Sequence, residues 1–234
     1  MTDGVGLDGW LPHFPGAGPL WLTAQLAGIT TVILIVLGTP LAWWLARTRG
    51  AWRAPVEAVV AMPIVLPPTV MGFYLLILLG PAGPVGRFWV SLTGEALSFS
   101  FTGLVIASCV YSLPFVVQPL QNAFQSVGEG TLEAAATLGA RPLDVFFSVA
   151  VPQSVRGYLT AAVMGFAHTL GEFGVVLMVG GNIPGETRVI SIAIYDHVES
   201  LNYESAHVLS GILLSFAFVA LLSLYLINRP RRHA

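Results

Sequence analysis

Lysine is absent from this chain of 234 residues, and all ten of its basic residues are arginines. The absence reads as a compositional bias, but it has a consequence. A phosphate-cradling G-x-x-x-x-G-K-[S/T] loop needs its lysine, so nucleotide binding by that route is excluded. Cysteine is nearly absent as well: Cys109 stands alone, which rules out an intrachain disulfide and a cysteine metal cluster. Charged residues make up 9% of the chain, where soluble domains carry roughly 25%. So few charges cannot cover a surface that faces water. The net charge of −2 points to no nucleic-acid partner. His13, His168, His197, His207 and His233 are scattered, with no H-E-x-x-H run, which argues against a membrane enzyme.

What the chain has in excess is apolar residues, 55% of the total, with a mean hydropathy of +0.79. This composition predicts an all-α integral membrane protein of one domain. A bilayer-crossing helix needs about 20 mostly apolar residues. Five stretches qualify: residues 22–46, 58–79, 99–120, 158–181 and 208–227. The polar gaps are 47–57, 80–98, 121–157 and 182–207. Arginines set the direction. Arg47, Arg49, Arg53, Arg141, Arg156, Arg229, Arg231 and Arg232 fall on one side, and only Arg87 and Arg188 on the other. The crowded side is expected to be cytoplasmic, with the N-terminus outside and the C-terminus inside. The first nineteen residues hold Asp3 and Asp8 but no arginine, unlike the basic start of a cleaved signal peptide. With Pro12, Pro15 and Pro19 they are expected to stay out of a helix. The expected organisation is an external tail (1–19), a transmembrane domain (20–228) and a basic cytoplasmic tail (229–234).

The second span holds Pro63, Pro67 and Pro68, and the third holds Pro114 and Pro119. Each proline removes a backbone donor and kinks a helix. Two readings stand side by side: packing geometry, or broken helices that line a path. Gly38, Gly72, Gly103, Gly165 and Gly211 would permit close helix approach. The gap 182–207 is too polar to span and is expected to form a short external helix or re-entrant cap, serving either as a lid or as a docking site.

The gap between the third and fourth spans is long for a connection. Gly130-Thr131 is expected to open a helix there with Thr131 as N-cap. Glu129 and Glu133 would sit near the positive end of its dipole. Gly139 suits a left-handed terminating position. Pro142 and Asp144 suit the first turn of a second helix, which Pro152 would end or kink. Small alanines on the first helix and Phe146 and Phe147 on the second make a surface that another subunit can approach. A connector lying on the membrane surface is the alternative.

Glu133-Ala134-Ala135, then Gly139, then Val149-Ala150-Val151-Pro152 resembles the E-A-A-x3-G-x9-I-x-L-P signature of ABC-importer permeases, with valine at both aliphatic positions. His168-Thr169-Leu170-Gly171-Glu172-Phe173-Gly174, followed by Asn182-Ile183-Pro184-Gly185-Glu186-Thr187-Arg188, is similar to the molybdate-importer permease family (ModB-type). So are Met62 to Val70, and Thr137-Leu138-Gly139-Ala140 with Val145-Phe146-Phe147. The resemblance runs from about Leu22 to Ile227 and leaves out the N-terminal tail.

The resemblance implies a type I ABC importer permease fold with five transmembrane helices in the plasma (inner) membrane of a bacterium. It implies a second copy of the chain, two ATP-binding subunits, an external molybdate-binding protein and the lipid bilayer as partners. The chain itself would be no enzyme and hold no cofactor, ATP and Mg belonging to the partner. Residues 129–152 would be the coupling segment, with Glu133, Ala134, Ala135, Gly139, Arg141 and Pro152 against the ATP-binding subunit. Pro67, Pro68, Thr69, His168, Thr169 and Glu172 are candidates for the pathway or its gate. Asn182, Glu186 and Arg188 are candidates for binding-protein docking.

Glu172 lies inside the fourth span, where a charge costs about 2.5–3.5 kcal/mol on insertion scales. His168, four residues earlier, is expected to share its helix face and to pair with it. A carboxylate would repel a doubly negative substrate, so a structural or gating role for Glu172 is favoured. Arg188 would attract an anion, pair with Glu186 or dock a partner. Two rival functions remain. A sulfate or thiosulfate ABC permease shares the coupling signature. An ion-coupled secondary carrier would carry several intramembrane acids and internal repeats, whereas one such acid and no repeat stand here.

Overall fold

The computed structural model describes residues 17–227, all of them helical or in turns and loops. The expected tail as far as residue 16, with His13, and the basic tail with Arg229, Arg231, Arg232 and His233 lie outside the described residues. Among the described residues, twelve α-helices follow in chain order: α1 (Ala17–Arg47), α2 (Arg53–Val65), α3 (Pro68–Leu79), α4 (Pro84–Thr93), α5 (Phe101–Ser126), α6 (Glu129–Thr137), α7 (Pro142–Val145), α8 (Val151–Gln153), α9 (Val155–Leu170), α10 (Gly174–Gly180), α11 (Ile190–Glu199) and α12 (Tyr203–Ile227). A π-helical stretch, Phe146–Ala150, joins α7 to α8. Helix α1 is described from Ala17 onward and includes Pro19. The expectation that Pro19 stays outside a helix is corrected accordingly.

Helices α1, α5 and α12 are each long and apolar enough to cross a bilayer. The other two expected spans are broken: α2 and α3 bend by 113°, and α9 and α10 by 62°. The first break falls where Leu66 and Pro67 are extended (ψ 137° at both) and Pro68 opens α3. A residue before proline is pushed out of the helical region, and two successive prolines do this twice. The second break falls at Gly171, Glu172 and Phe173. Pro114 and Pro119 behave differently, because α5 runs unbroken past both. Helix α5 is the central helix, flanked by α1, α2, α9 and α10, and its packing overrides the local preference.

The core fills the angle between α1, α5 and α9, with Leu34, Val116, Val117, Leu120 and Phe124 fully or almost fully buried. Gly165 permits this approach, since a Cβ there would lie 2.5 Å from Val116 Cγ2. Gly72 does the same for α3 against α10, where a Cβ would lie 2.8 Å from Met178 Cβ. A Cβ at Gly211 would meet nothing within 4 Å among the described residues, so it mediates no close helix approach within this chain. Helix α4 lies in the gap 80–98, where no helix is expected from hydropathy; left-handed Gly94 (φ 78°) caps it. The polar stretch 182–207 contains the short helix α11, as anticipated. Helix α12 stands nearly apart, touching α9 and α11.

Candidate functional site

The first candidate surface is the segment between α5 and α9. Gly128 precedes α6, which begins at Glu129, so Thr131 lies inside the helix and is not its N-cap. Glycine ahead of an acidic first residue serves that end equally well. Gly139 is left-handed (φ 87°) and turns the chain, with its N–H donating to the Ala136 carbonyl at 3.0 Å. Pro142 opens α7, and the Arg141 N–H donates to the Asp144 carboxylate at 3.2 Å. Pro152 does not end the second helix. The helix widens to a π turn just before it and stops at Ser154 (φ −95°, ψ 8°). Such π turns cluster at functional positions.

No residue of α6 is buried. Glu133, Ala134, Gly139, Arg141 and Pro152 are exposed, and Ala135 is half-buried. Three apolar side chains stand out beside them: Leu138 is 89% exposed, Leu143 70% and Phe147 65%. The opposite face is keyed into the spans. Phe146 meets the Trp43 ring edge-on at 5.2 Å, and Trp43 meets Phe124 at 5.3 Å. Arg47 lies 4.9 Å from the Trp43 ring centroid and donates to the carbonyls of Phe124 and Val127, both at 3.0 Å. Arg49 pairs with Glu129 on the surface. The segment is thus an outward apolar patch on a base fixed to α1 and α5.

The second candidate is a groove between α5 and α9, roofed by α2 and α3. Helix α5 offers Tyr111, Phe115, Gln118 and Asn122, and α9 offers Gly157, Thr160, Met164 and His168. Steps of three and four residues put each set on one helix face. The groove holds two cavities. One, of about 580 Å³, is lined by Pro68, Thr69, Tyr111, His168, Glu172 and Met178 among others. The other, of about 410 Å³ and nearer the segment between α5 and α9, includes Ile64, Phe115, Gln118, Asn122, Thr160 and Met164. His168 and Phe115 stack between them, centroids 3.8 Å apart and planes at 21°.

Hydrogen bonds fix the His168 ring. Its Nδ1 lies 2.9 Å from Ser112 Oγ, which lies 2.9 Å from Thr169 Oγ1. Thr169 donates its only hydroxyl proton to the Gly165 carbonyl at 3.0 Å. Ser112 therefore donates to Thr169 and accepts from the His168 Nδ1–H. The expected His168–Glu172 pair does not form. Helix α9 ends at Leu170, so the four-residue spacing no longer places the two side chains on one face. Both Glu172 carboxyl oxygens are buried, with the Ser108 hydroxyl lying alongside and no hydrogen bond of good geometry to either oxygen among the described residues. Glu172→Gln is expected to preserve assembly and raise the melting temperature of the purified protein by about 2 °C or more. An amide stays neutral in this buried place without having to bind a proton, and it keeps a polar partner for Ser108. A fall in melting temperature would overturn this account.

Pro68, Thr69, His168 and Glu172 of the expected pathway set thus line one cavity. Thr169 lies behind it, and Pro67 forms the break itself. On the far side, Asn182 donates to both Asp196 carboxylate oxygens at 2.8 Å, and Arg188 Nε donates to Asn182 at 2.6 Å. Arg188 also pairs with Asp196 at 3.4 Å, so its partner is not Glu186, which is exposed. In α11 the Glu199 carboxylate bonds the Tyr195 hydroxyl and holds that phenol above its ordinary value. Tyr111, Ser112, Phe115, Gln118, Asn122, Trp43 and Arg47 are functional candidates that motif reading missed. Tyr111, Gln118 and Asn122 recur at steps of seven and four residues on the third span and just past its end, a signal present in the sequence.

Comparison with known proteins adds the family. Residues 38–233 match the model of the binding-protein-dependent transport system inner membrane component. The molybdenum transport system permease protein ModB of Azotobacter vinelandii is 58% identical over 204 residues, 87% of this chain and 90% of that protein. ModB of Escherichia coli K12 is 34% identical, covering 86% and 88% of the two chains. A sulfate transport system permease protein, CysT of Synechocystis, is also 34% identical, covering 92% of this chain and 74% of its own. Among solved structures, the fold is like that of a bacterial alginate ABC transporter (TM-score 0.73, 17% identity, covering 96% and 83%). It is also like the inward-facing MetNI methionine ABC transporter (TM-score 0.69, 17% identity, covering 98% and 100%).

Proposed function

This chain belongs to the family of binding-protein-dependent transport system inner membrane components, and we propose that it is the membrane-spanning permease subunit of an ATP-driven importer of molybdate or the isosteric tungstate. The observation that carries the proposal is the 58% identity to a molybdenum permease over most of both chains, well above the 34% to a sulfate permease.

Two copies face each other across the α5–α9 groove and make the path between them. They sit in the bacterial inner membrane with the coupling segment on the cytoplasmic side. Two ATP-binding subunits dock on the outward patch of Leu138, Leu143 and Phe147, around Glu133, Ala134, Ala135, Gly139, Arg141 and Pro152. An external binding protein delivers the oxyanion near Asn182, Glu186 and Arg188. ATP and Mg stay on the partner subunit, which performs the hydrolysis.

Movement of the docked segment passes inward by two contacts. Phe146 pushes on Trp43 of α1, and Arg47 ties α1 to the end of α5. Helix α5 carries one wall of the groove, so a shift at the segment tilts that wall against α9. Alternating access follows from rigid-body motion of packed helices. Thr69 and His168 line the path at the stacked partition, Thr169 sets the His168 ring through Ser112, and Glu172 occupies the α9–α10 break as a structural or gating group.

The test is ATP hydrolysis by the complex in liposomes, this chain with its ATP-binding subunit. Adding binding protein loaded with molybdate is expected to stimulate hydrolysis severalfold, and binding protein loaded with sulfate to leave it near its basal rate. Stimulation by sulfate alone would move the assignment to the sulfate importers. Hydrolysis indifferent to either would sink the importer reading.

A further inference from the structure

We infer that Gln118 and Asn122, in the cavity below the His168–Phe115 stack, form an exit-side site that receives a tetrahedral oxyanion through neutral amide N–H donors. The inference rests on the importer reading and says where the substrate stops on its way.

Gln118 is half-buried and Asn122 exposed, four residues apart on the same face of α5. Both line the cavity of about 410 Å³. Neither amide has a hydrogen-bond partner among the described residues. Their neighbour Gln121 shows the contrast: on another face of the same helix, it is buried and donates to Glu57 at 2.6 Å. Gln118 lies inside the third apolar stretch, where polar groups are expensive and face water, protein or a ligand, whereas Asn122 lies just past its end, exposed on the lining of the same cavity. The half-buried Gln118 amide on the groove wall therefore marks a wet, ligand-bearing space, and the exposed Asn122 amide continues it toward the coupling segment.

The chemistry suits passage. A doubly negative oxyanion that leaves water needs N–H or O–H donors. An arginine would hold such an ion too firmly to release it, since a conducting path needs sites weak enough to leave. Amides supply two N–H donors each with no net charge. Among the described residues no carboxylate lines this cavity; Glu172 lies in the other one, beyond the stack. An ion passing the partition meets Gln118 first and Asn122 one turn later, on the side of the coupling segment.

The experiment uses the whole complex in proteoliposomes, with molybdate as the probe. Uptake, stimulated ATP hydrolysis and the amount of assembled complex are measured together. Gln118→Glu and Asn122→Asp change shape little but put a carboxylate where the anion rests. Each is expected to lower uptake about tenfold or more, because like charges at a contact cost over 1.4 kcal/mol. Assembly and stimulated hydrolysis are expected to stay within about twofold, since neither residue lies on the coupling patch. Gln118→Met removes the donors without adding charge and is expected to fall between wild type and Gln118→Glu. Uptake by Gln118→Glu within about twofold of wild type would overturn the site. So would a parallel fall of uptake, hydrolysis and assembly, which would mark the amides as packing between the two copies. If the unaltered complex responds only to sulfate, the molybdate reading fails, and the same variants judge the site with sulfate.

Discussion

Replacing Leu138 and Leu143 together by glutamate is expected to release the chain from its ATP-binding partner while leaving its own fold intact. The two side chains are 89% and 70% exposed, so neither contributes to the core. Surface substitutions of this kind usually change stability by about 0.5 kcal/mol or less. Lone exposed leucines are common in any protein. Here they flank the left-handed turn at Gly139, with Phe147 nearby, on a segment whose first helix buries nothing. A docking patch concentrates its energy in a few such anchors, worth about 2 kcal/mol or more each. Losing one would weaken binding roughly thirtyfold, and losing two by far more. Co-purification of the ATP-binding subunit is the measurement, with the melting temperature of the lone permease as control. An intact complex would move the docking site elsewhere. A permease that melts early would show the leucines to be structural.

The second large effect is expected at Gly72. A Cβ there would stand 2.8 Å from Met178 Cβ and 3.1 Å from Val175 Cα. The second contact is backbone and cannot swing aside. Helices α3 and α10, the two half-helices beyond the breaks, meet at this point. Gly72→Val is expected to cost about 1–3 kcal/mol in overpacking and to pry α3 from α10. Those two helices carry Pro68, Thr69 and Met178 of the larger cavity. Molybdate uptake is therefore expected to fall about tenfold or more, because displacements near 1 Å are costly where geometry matters. Assembly with the ATP-binding subunit is expected to persist, since the proposed docking segment does not pack substantially on α3 or α10. Gly211→Val serves as the control, with open space around it. Equal transport by the two variants would refute the role given to the half-helix contact.

Much of this molecule is legible in the order of its residues. Scarce charge and long apolar runs establish helices that cross a membrane, because hydrocarbon leaves the backbone few alternatives. Gly139 and Pro142 announce a turn and a helix start through their own backbone restrictions, and both occupy those positions. Two adjacent prolines break the second span as local sterics require. Each of these features depends on one residue or a few neighbours, so no distant contact is needed to foresee it.

The groove depended on more. Pro114 and Pro119 look like breaks, yet α5 stays unbroken through them, because packing against α1, α2, α9 and α10 holds it. His168 and Glu172 look like an ion pair, yet the helix ends between them, and His168 turns to a serine fifty-six residues away. Arg47 looks like one more cytoplasmic charge, but it clamps carbonyls about eighty residues along the chain. Periodicity along a chain records which face a residue occupies. What lies opposite that face is set only when distant helices pack, and the stacked partition, the two cavities and the link from the coupling segment to α1 all arise at that step.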